Sequence, residues 1–133
     1  RSARLQGDPV SETGALLEGA WRRVCRRDDL RAGVVQQVSI GRDPIGIPLS
    51  VLVGVSQNGD LYAYQNLCKH LPIPLDGGSG DFFAGDVDTL RCGTHGALYR
   101  VSDGYCTRGP CRGTFLRRHL VREIADEVWV KTD

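Results

Sequence analysis

Two short motifs that each combine a cysteine with a histidine constrain the fold of this chain more than any other feature. They are Cys68-Lys69-His70 and Cys92-Gly93-Thr94-His95. Each motif offers one thiolate and one imidazole, and each opens into a loop rich in glycine or proline. Thiolate sulfur and imidazole nitrogen are ligands for zinc and for iron–sulfur clusters. A fold that uses all four ligands must bring two loops together that are well separated in sequence.

The spacing of the two motifs leaves the identity of the metal open. Four nitrogen and sulfur ligands could also hold a structural zinc ion, and the chain would then be a zinc-stabilised interaction module. The third histidine, His119, has no cysteine or second histidine nearby in the sequence. We therefore expect His119 to be a solvated residue outside the site.

The rest of the chain has the pattern of an all-β protein. Runs rich in apolar and β-branched residues predict strands at 21–25, 34–40, 47–55, 61–65, 88–92, 97–101, 105–107, 118–124 and 127–131. Asn58-Gly59 separates two of these runs and predicts a tight hairpin. Many short strands with such turns favour an antiparallel sandwich or barrel. Residues 1–20 lack a sustained period, so we interpret them as an N-terminal arm rather than a domain.

Charge and length exclude several classes of function. The chain has 133 residues, which favours one domain, and its formal net charge is +1. This balance gives no case for nucleic-acid binding, and no apolar run is long enough to be a membrane span. Five cysteines in a chain of this kind suit a metal site in the cytoplasm better than a secreted disulfide framework.

With the two motifs in place, the sequence resembles the Rieske [2Fe-2S] proteins, whose signature is Cys-x-His followed by Cys-x-x-His. The resemblance covers the chain from about Trp21 to the C-terminus and is greatest for the soluble, ferredoxin-type members. It implies one [2Fe-2S] cluster held by four ligands. Cys68 and Cys92 would bind the inner iron, while His70 and His95 would bind the outer iron near the surface.

The resemblance also implies an architecture. The family fold has three stacked antiparallel sheets with an inserted cluster-binding part, so we expect a Rieske domain over 21–133 with its cluster-binding part at about 66–112. Gly109-Pro110 is similar to the proline loop that covers the cluster. Tyr99 occupies the position of a tyrosine that bonds to sulfur in the high-potential branch, although we favour a half-buried strand aromatic.

The disulfide of the high-potential branch is missing here, and this chain has other cysteines instead. Its disulfide positions are occupied here by Ile73 and Thr94, so that disulfide cannot form. Cys106 and Cys111 flank the proline-loop turn and could form a different disulfide, which a reducing compartment disfavours. We expect Cys25 to be a small buried apolar residue.

The function implied by the resemblance is one-electron transfer. The chain would be similar to the ferredoxin component that passes electrons from a flavoprotein reductase to a terminal oxygenase or another redox enzyme. No catalytic site of its own is visible: the mononuclear iron of an oxygenase needs two histidines and a carboxylate, and only His119 remains. The alternative is a small Rieske-fold subunit of a larger oxidoreductase complex, as in assimilatory nitrite reductase.

Overall fold

The computed structural model describes residues 20–67, 74–75, 82–93 and 96–132, so the predicted N-terminal arm lies almost wholly outside the described residues. Within these ranges the regular secondary structure is all strand apart from one turn of 3-10 helix at Arg27–Asp29, and the predicted all-β class is confirmed. The strands are β1 (Trp21–Arg26), β2 (Val35–Arg42), β3 (Pro48–Val55), β4 (Leu61–Gln65), β5 (Thr89–Arg91), β6 (Leu98–Arg100), β7 (Cys106–Arg108), β8 (Val121–Ile124) and β9 (Glu127–Lys131). Among the described residues, no helix has the length and apolarity needed to cross a membrane.

The described strands form three antiparallel sheets of three strands each. Their orders are β1-β9-β8, β2-β3-β4 and β5-β6-β7. The predicted hairpin is present between β3 and β4, where Gly59 has a φ of 92° that suits a left-handed turn position. Ala125 and Asp126 reverse the chain between β8 and β9 with φ values of 52° and 66°. Local turn chemistry thus sets two of the strand pairings.

The sheet β2-β3-β4 is the middle layer, because its two faces serve two different cores. Val51, Val53 and Val55 of β3 are buried against β1 and β9, together with Val128 and Val130. The alternate residue on β3, Leu52, packs in the second core with side chains of the sheet β5-β6-β7. Side chains alternate between faces along a strand, so a continuous apolar run in β3 is what a strand buried on both sides requires.

Two tyrosines of β4 connect the middle sheet to the second core. Tyr62 and Tyr64 are buried on the same face, with ring centroids 5.8 Å apart. The hydroxyl of Tyr64 donates to the carbonyl of Val101 at 2.7 Å, and burial raises the pKa of Tyr64 to about 12. Gly54 lies opposite Tyr62 on β3, where a Cβ atom would approach the tyrosine hydroxyl to 2.5 Å. Glycine is therefore needed for the ring to cross the strand.

The prediction that His119 is solvated is wrong. Its side chain is only 4% exposed. The backbone N–H of His119 donates to the Ala63 carbonyl at 3.0 Å, and Nδ1 donates to the Lys131 carbonyl at 2.8 Å. Arg117 and Arg118, which precede His119 and indicate a surface segment, are exposed. His119 itself is buried. His119 is therefore a buried residue that links β4 to β9 through hydrogen bonds.

Candidate metal centre

The structure places one of the four predicted ligands, Cys92, in detail. Cys68, His70 and His95 lie outside the described residues. Cys92 follows β5 directly, is 0% exposed, and belongs to the second core. A buried thiolate is unfavourable without a compensating positive charge, which a ferric ion supplies. The burial of Cys92 is thus suited to an inner metal ligand.

The loop that begins at Cys92 is closed by backbone hydrogen bonds. The N–H of Cys92 donates to the carbonyl of Ala97 at 2.8 Å, and the N–H of Gly96 donates to the carbonyl of Cys92 at 2.8 Å. These bonds continue the pairing of β5 with β6 to the start of the loop. Two short strands therefore hold the chain on either side of the second motif, in which the sequence places His95.

Asn66, a buried polar residue that we did not single out from the sequence, holds the ends of the first loop. Its side chain is 1% exposed; Oδ1 accepts the N–H of Leu75 at 2.8 Å, and Nδ2 donates to Ser50 Oγ at 3.2 Å. The backbone N–H of Asn66 donates to the carbonyl of Ser50 at 2.8 Å. One asparagine therefore ties β3 to residues on both sides of the Cys68 motif.

Leu75 extends this network to the second loop. Its carbonyl accepts the N–H of Gly93 at 2.7 Å, and its side chain is 0% exposed in the second core. Cys92 and Asn66 are therefore linked through Leu75 and Gly93. The network brings the segments next to both predicted motifs together, as the shared metal site requires. An asparagine just after a strand carries no sequence signal that separates this role from an ordinary turn.

The proline loop lies against Ala97, two residues after the second motif. Gly109 has a φ of 100°, and a Cβ atom there would approach the Cα of Ala97 to 2.7 Å. Only glycine allows the two loops to be this close in this conformation. Pro110 follows in an exposed turn, and Arg108 and Arg112 beside it are also exposed.

Behind the proline loop, Tyr99 contacts a cysteine. The preferred interpretation of Tyr99 as half-buried is wrong, because it is 0% exposed with its hydroxyl 2.9 Å from Cys111 Sγ. Cys111 Sγ lies 3.3 Å from Cys106 Sγ. Both cysteines are thiols in the structure rather than a disulfide. Cys25, as expected, is buried in the first core, where burial raises the pKa of its thiol.

Comparison with known proteins decides the family. The family model described as "Rieske [2Fe-2S] domain" matches residues 20–125, which is most of the chain. The chain belongs to the Rieske [2Fe-2S] domain family. The match contains both Cys/His motifs, the described hairpin at Cys92 and the proline loop. Comparison with curated protein sequences gives no match.

Solved structures show the same fold. One is a chain of the complex of reduced oxygenase and oxidized ferredoxin in carbazole 1,9a-dioxygenase, with 26% identity over 87% of this chain and 96% of that chain and a TM-score of 0.64. Another is the terminal oxygenase of carbazole 1,9a-dioxygenase from Novosphingobium sp. KA1, at 20% identity, 85% of this chain and 30% of that chain, with a TM-score of 0.67. A third is a chain of the reduced complex between oxygenase and ferredoxin in carbazole 1,9a-dioxygenase. It has 21% identity over 86% of this chain and 28% of that chain, with a TM-score of 0.68. This chain spans less than a third of the oxygenase-sized chains that it matches.

The described residues fit the cofactor of the family. A Rieske domain holds one [2Fe-2S] cluster, so this group, and not a structural zinc ion, is the metal centre of the chain. Cys92 offers a buried thiolate sulfur, and the hydrogen bonds through Leu75 and Asn66 hold the neighbouring loops together. When bound, the cluster supplies a centre that gains and loses one electron.

Proposed function

We propose that this Rieske protein is a one-electron carrier that receives electrons from a flavoprotein reductase and passes them to a terminal oxygenase. The observation that carries the proposal is the similarity to the chain from the oxygenase–ferredoxin complex, of which this chain covers 96%. The match is thus to nearly a whole small protein rather than to one part of a large enzyme. The proposal that a reductase is the electron donor rests on the family resemblance and on the need for an electron source.

We infer that Cys68, His70, Cys92 and His95 are the four ligands of the cluster. The buried position of Cys92 supports an inner iron held by the cysteines, and the closed hairpin after Cys92 supports the placement of His95 in the same loop. Neutral imidazoles add no charge to the outer iron, which makes it easier to reduce than an iron held by thiolates. The domain would then run from 21 to 133 with its cluster-binding part at 66–112, which is supported by the pairing of β9 with β1.

Spectroscopy and electrochemistry test this proposal together. The purified protein should show a visible absorption that one electron per molecule bleaches, and a reversible one-electron wave in protein-film voltammetry. The EPR spectrum of the reduced protein should have a lower average g than clusters with four cysteine ligands. An average g typical of four cysteines would contradict the histidine ligands, and a colourless protein with zinc would contradict the carrier.

We propose the loop around Pro110 as part of the docking surface. The outer iron lies nearest to solvent in the family, and Pro110 is exposed between Arg108 and Arg112. The other expected members, Lys69, Leu71, Pro72 and Ile73, lie outside the described residues. A small apolar centre with a cationic rim suits a short-lived complex, in which rim charges mostly accelerate association.

The rate of reduction by the reductase, measured as ionic strength rises, tests the docking surface. Arg108→Glu/Arg112→Glu should reduce this rate at low salt and flatten its salt dependence. Arg122→Glu is the matched control, because Arg122 is an exposed arginine on β8 in a different sheet. Equal rates for the wild-type protein and the double variant would exclude a steering role for this loop.

The cysteines support a cytoplasmic location. Cys106 and Cys111 are thiols in the structure, although their sulfur atoms lie 3.3 Å apart. Such a pair is expected to remain reduced in a reducing compartment and to be oxidised in a secreted protein. We therefore propose the cytoplasm as the compartment, and the redox state of this pair in protein extracted under acid trapping is the measurement that checks it.

A further inference from the structure

The pair of thiols behind the proline loop has a geometry that the electron-carrier function does not use. Cys106 and Cys111 are not among the four ligands that the resemblance implies, yet their Sγ atoms lie 3.3 Å apart. A disulfide bond has a sulfur–sulfur length of about 2.05 Å, so the two atoms need to approach by little more than about 1 Å. Side-chain rotation can supply a movement of this size.

The backbone around the two thiols holds them in this arrangement. The N–H of Cys106 donates to the carbonyl of Thr114 at 2.7 Å, and the carbonyl of Cys106 accepts the N–H of Gly113 at 3.0 Å. The carbonyl of Cys111 accepts from both the N–H and the hydroxyl of Thr114, at 3.0 Å and 2.7 Å. Both cysteines are thus fixed by hydrogen bonds to the same short segment.

The two thiols differ in their contact with solvent. Cys111 is 7% exposed and lies in an exposed turn, with Pro110 and Arg112 on either side. Cys106 is 0% exposed, and its Sγ also lies 3.2 Å from the Arg108 carbonyl. A small molecule that reaches this pair therefore meets Cys111 first, with Cys106 directly behind it.

We propose that Cys106 and Cys111 form a thiol–disulfide modification site that reacts with a low-molecular-weight disulfide of the glutathione class. The thiolate of Cys111 attacks one sulfur of the small disulfide, which forms a mixed disulfide and releases one small thiol. The thiolate of Cys106 then attacks Cys111 Sγ, which forms the Cys106–Cys111 bond and releases the second small thiol. The protein loses two electrons and two protons, and the small disulfide gains them.

The site lies where its state can affect the cluster-binding part. The bond would close residues 106–111 into a ring that contains Gly109, whose backbone lies against Ala97 at the end of the second ligand loop. Tyr99, from the middle strand of the same sheet, contacts Cys111 Sγ at 2.9 Å. Oxidation would therefore restrict the loop that covers the cluster without changing any of its four proposed ligands.

Titration of the cluster-loaded protein with mixtures of oxidised and reduced glutathione tests the proposal. After acid quenching and alkylation under denaturing conditions, intact mass should show two fewer alkyl groups than the fully reduced protein carries. Peptide mapping should then place the new bond between Cys106 and Cys111. The visible absorption of the cluster should persist through the titration, and a thiol reductant should reverse the change. Detection by mass makes the result independent of any electron-transfer activity.

Three variants sharpen the test. Cys106→Ala should stop at the mixed disulfide and accumulate glutathione on Cys111, whereas Cys111→Ala should leave Cys106 unmodified because it is buried. Cys25→Ala is the matched control and should form the internal bond as the wild-type protein does. If the wild-type protein stays reduced at the highest proportion of oxidised glutathione, or keeps glutathione on Cys111 without forming the internal bond, the proposal is overturned.

Discussion

The two cores on either side of the middle sheet are built in different ways. The core between the sheets β1-β9-β8 and β2-β3-β4 consists largely of small apolar and β-branched side chains from paired strands. The core on the other side contains large aromatic residues, three cysteines and loop residues such as Leu75. Its organisation also depends on particular polar contacts, such as those of Asn66 and the Tyr64 hydroxyl.

The two cores therefore differ in how strongly their stability depends on single polar contacts. Alternating valines can bury a sheet face without any specific polar partner, because the hydrophobic effect is non-directional. The second core must satisfy buried polar groups and hold a cluster, so each partner matters individually. We therefore expect the second core to depend on the cluster and on single hydrogen bonds, and the first core to depend on neither.

The largest effect is expected from removal of Cys92. Cys92→Ala should abolish the visible absorption of the cluster, because a buried sulfur ligand cannot be replaced by a methyl group. Far-UV circular dichroism should retain most of its β-sheet signal if the first core is independent. Cys25→Ala is the control from the other core and should keep full iron content. Retention of the cluster in Cys92→Ala would contradict the proposed ligand.

A pair of core truncations compares the two regions directly. Leu75→Ala should lower the free energy of unfolding by about 2–5 kcal/mol and accelerate loss of iron to a chelator. Val130→Ala, in the first core, should lower stability by about 2 kcal/mol but leave the rate of iron loss near that of the wild-type protein. Equal acceleration in both variants would show that the two cores behave as one unit.

Loss of the Asn66 side chain should have the next largest effect. Asn66→Ala leaves the buried N–H of Leu75 without its acceptor, which should cost about 1–3 kcal/mol of unfolding free energy and speed the release of iron. Gln37→Ala is a matched control, because Gln37 Nε2 also donates to Ser50 Oγ at 3.2 Å but from an exposed position. If Gln37→Ala loses as much unfolding free energy and releases iron as fast as Asn66→Ala, Asn66 has no special role.

The smallest effect is expected from the alkaline pH dependence of stability. Burial raises the pKa of Tyr64 to about 12, so its contribution is complete below the ordinary tyrosine value near 10 and is lost as pH rises towards 12. Burial also raises the pKa of Tyr62, which acts in the same direction. Tyr64→Phe should flatten the decline of the denaturation midpoint between these pH values. An unchanged slope would show that Tyr64 does not cause it.

The comparison of the two cores also explains what the sequence could predict. The strands of the first core follow from β-branched runs and from turns such as Asn58-Gly59, because both signals are local. The sequence also predicts the three-residue strands β5, β6 and β7: the predictions 88–92 and 97–101 are each one residue too long at both ends, and 105–107 is displaced by one residue. The two Cys/His motifs indicate the family because their residue types and spacing are rare.

The contacts that complete the site were not predictable in the same way. The acceptor for Leu75 and the partner of the Tyr99 hydroxyl are set by tertiary packing over distances that no local pattern encodes. His119 shows the same limit, since its surroundings of arginine indicate a surface residue while β4 and β9 bury it. Burial of a polar side chain depends on partners that are far away in sequence.

The hydrogen bond between Asn66 and Leu75 also has an evolutionary consequence. It joins the chain on both sides of the Cys68-Lys69-His70 motif, so the positions of the neighbouring strands do not depend on the number of residues between Asn66 and Leu75. The entropy of loop closure grows slowly, by about 0.6 kcal/mol for each doubling of length. Insertions between His70 and Leu75, which leave the Cys68-Lys69-His70 spacing unchanged, should therefore be tolerated more readily than insertions elsewhere in the cluster-binding part. Such a segment can diversify towards new redox partners while the scaffold stays the same.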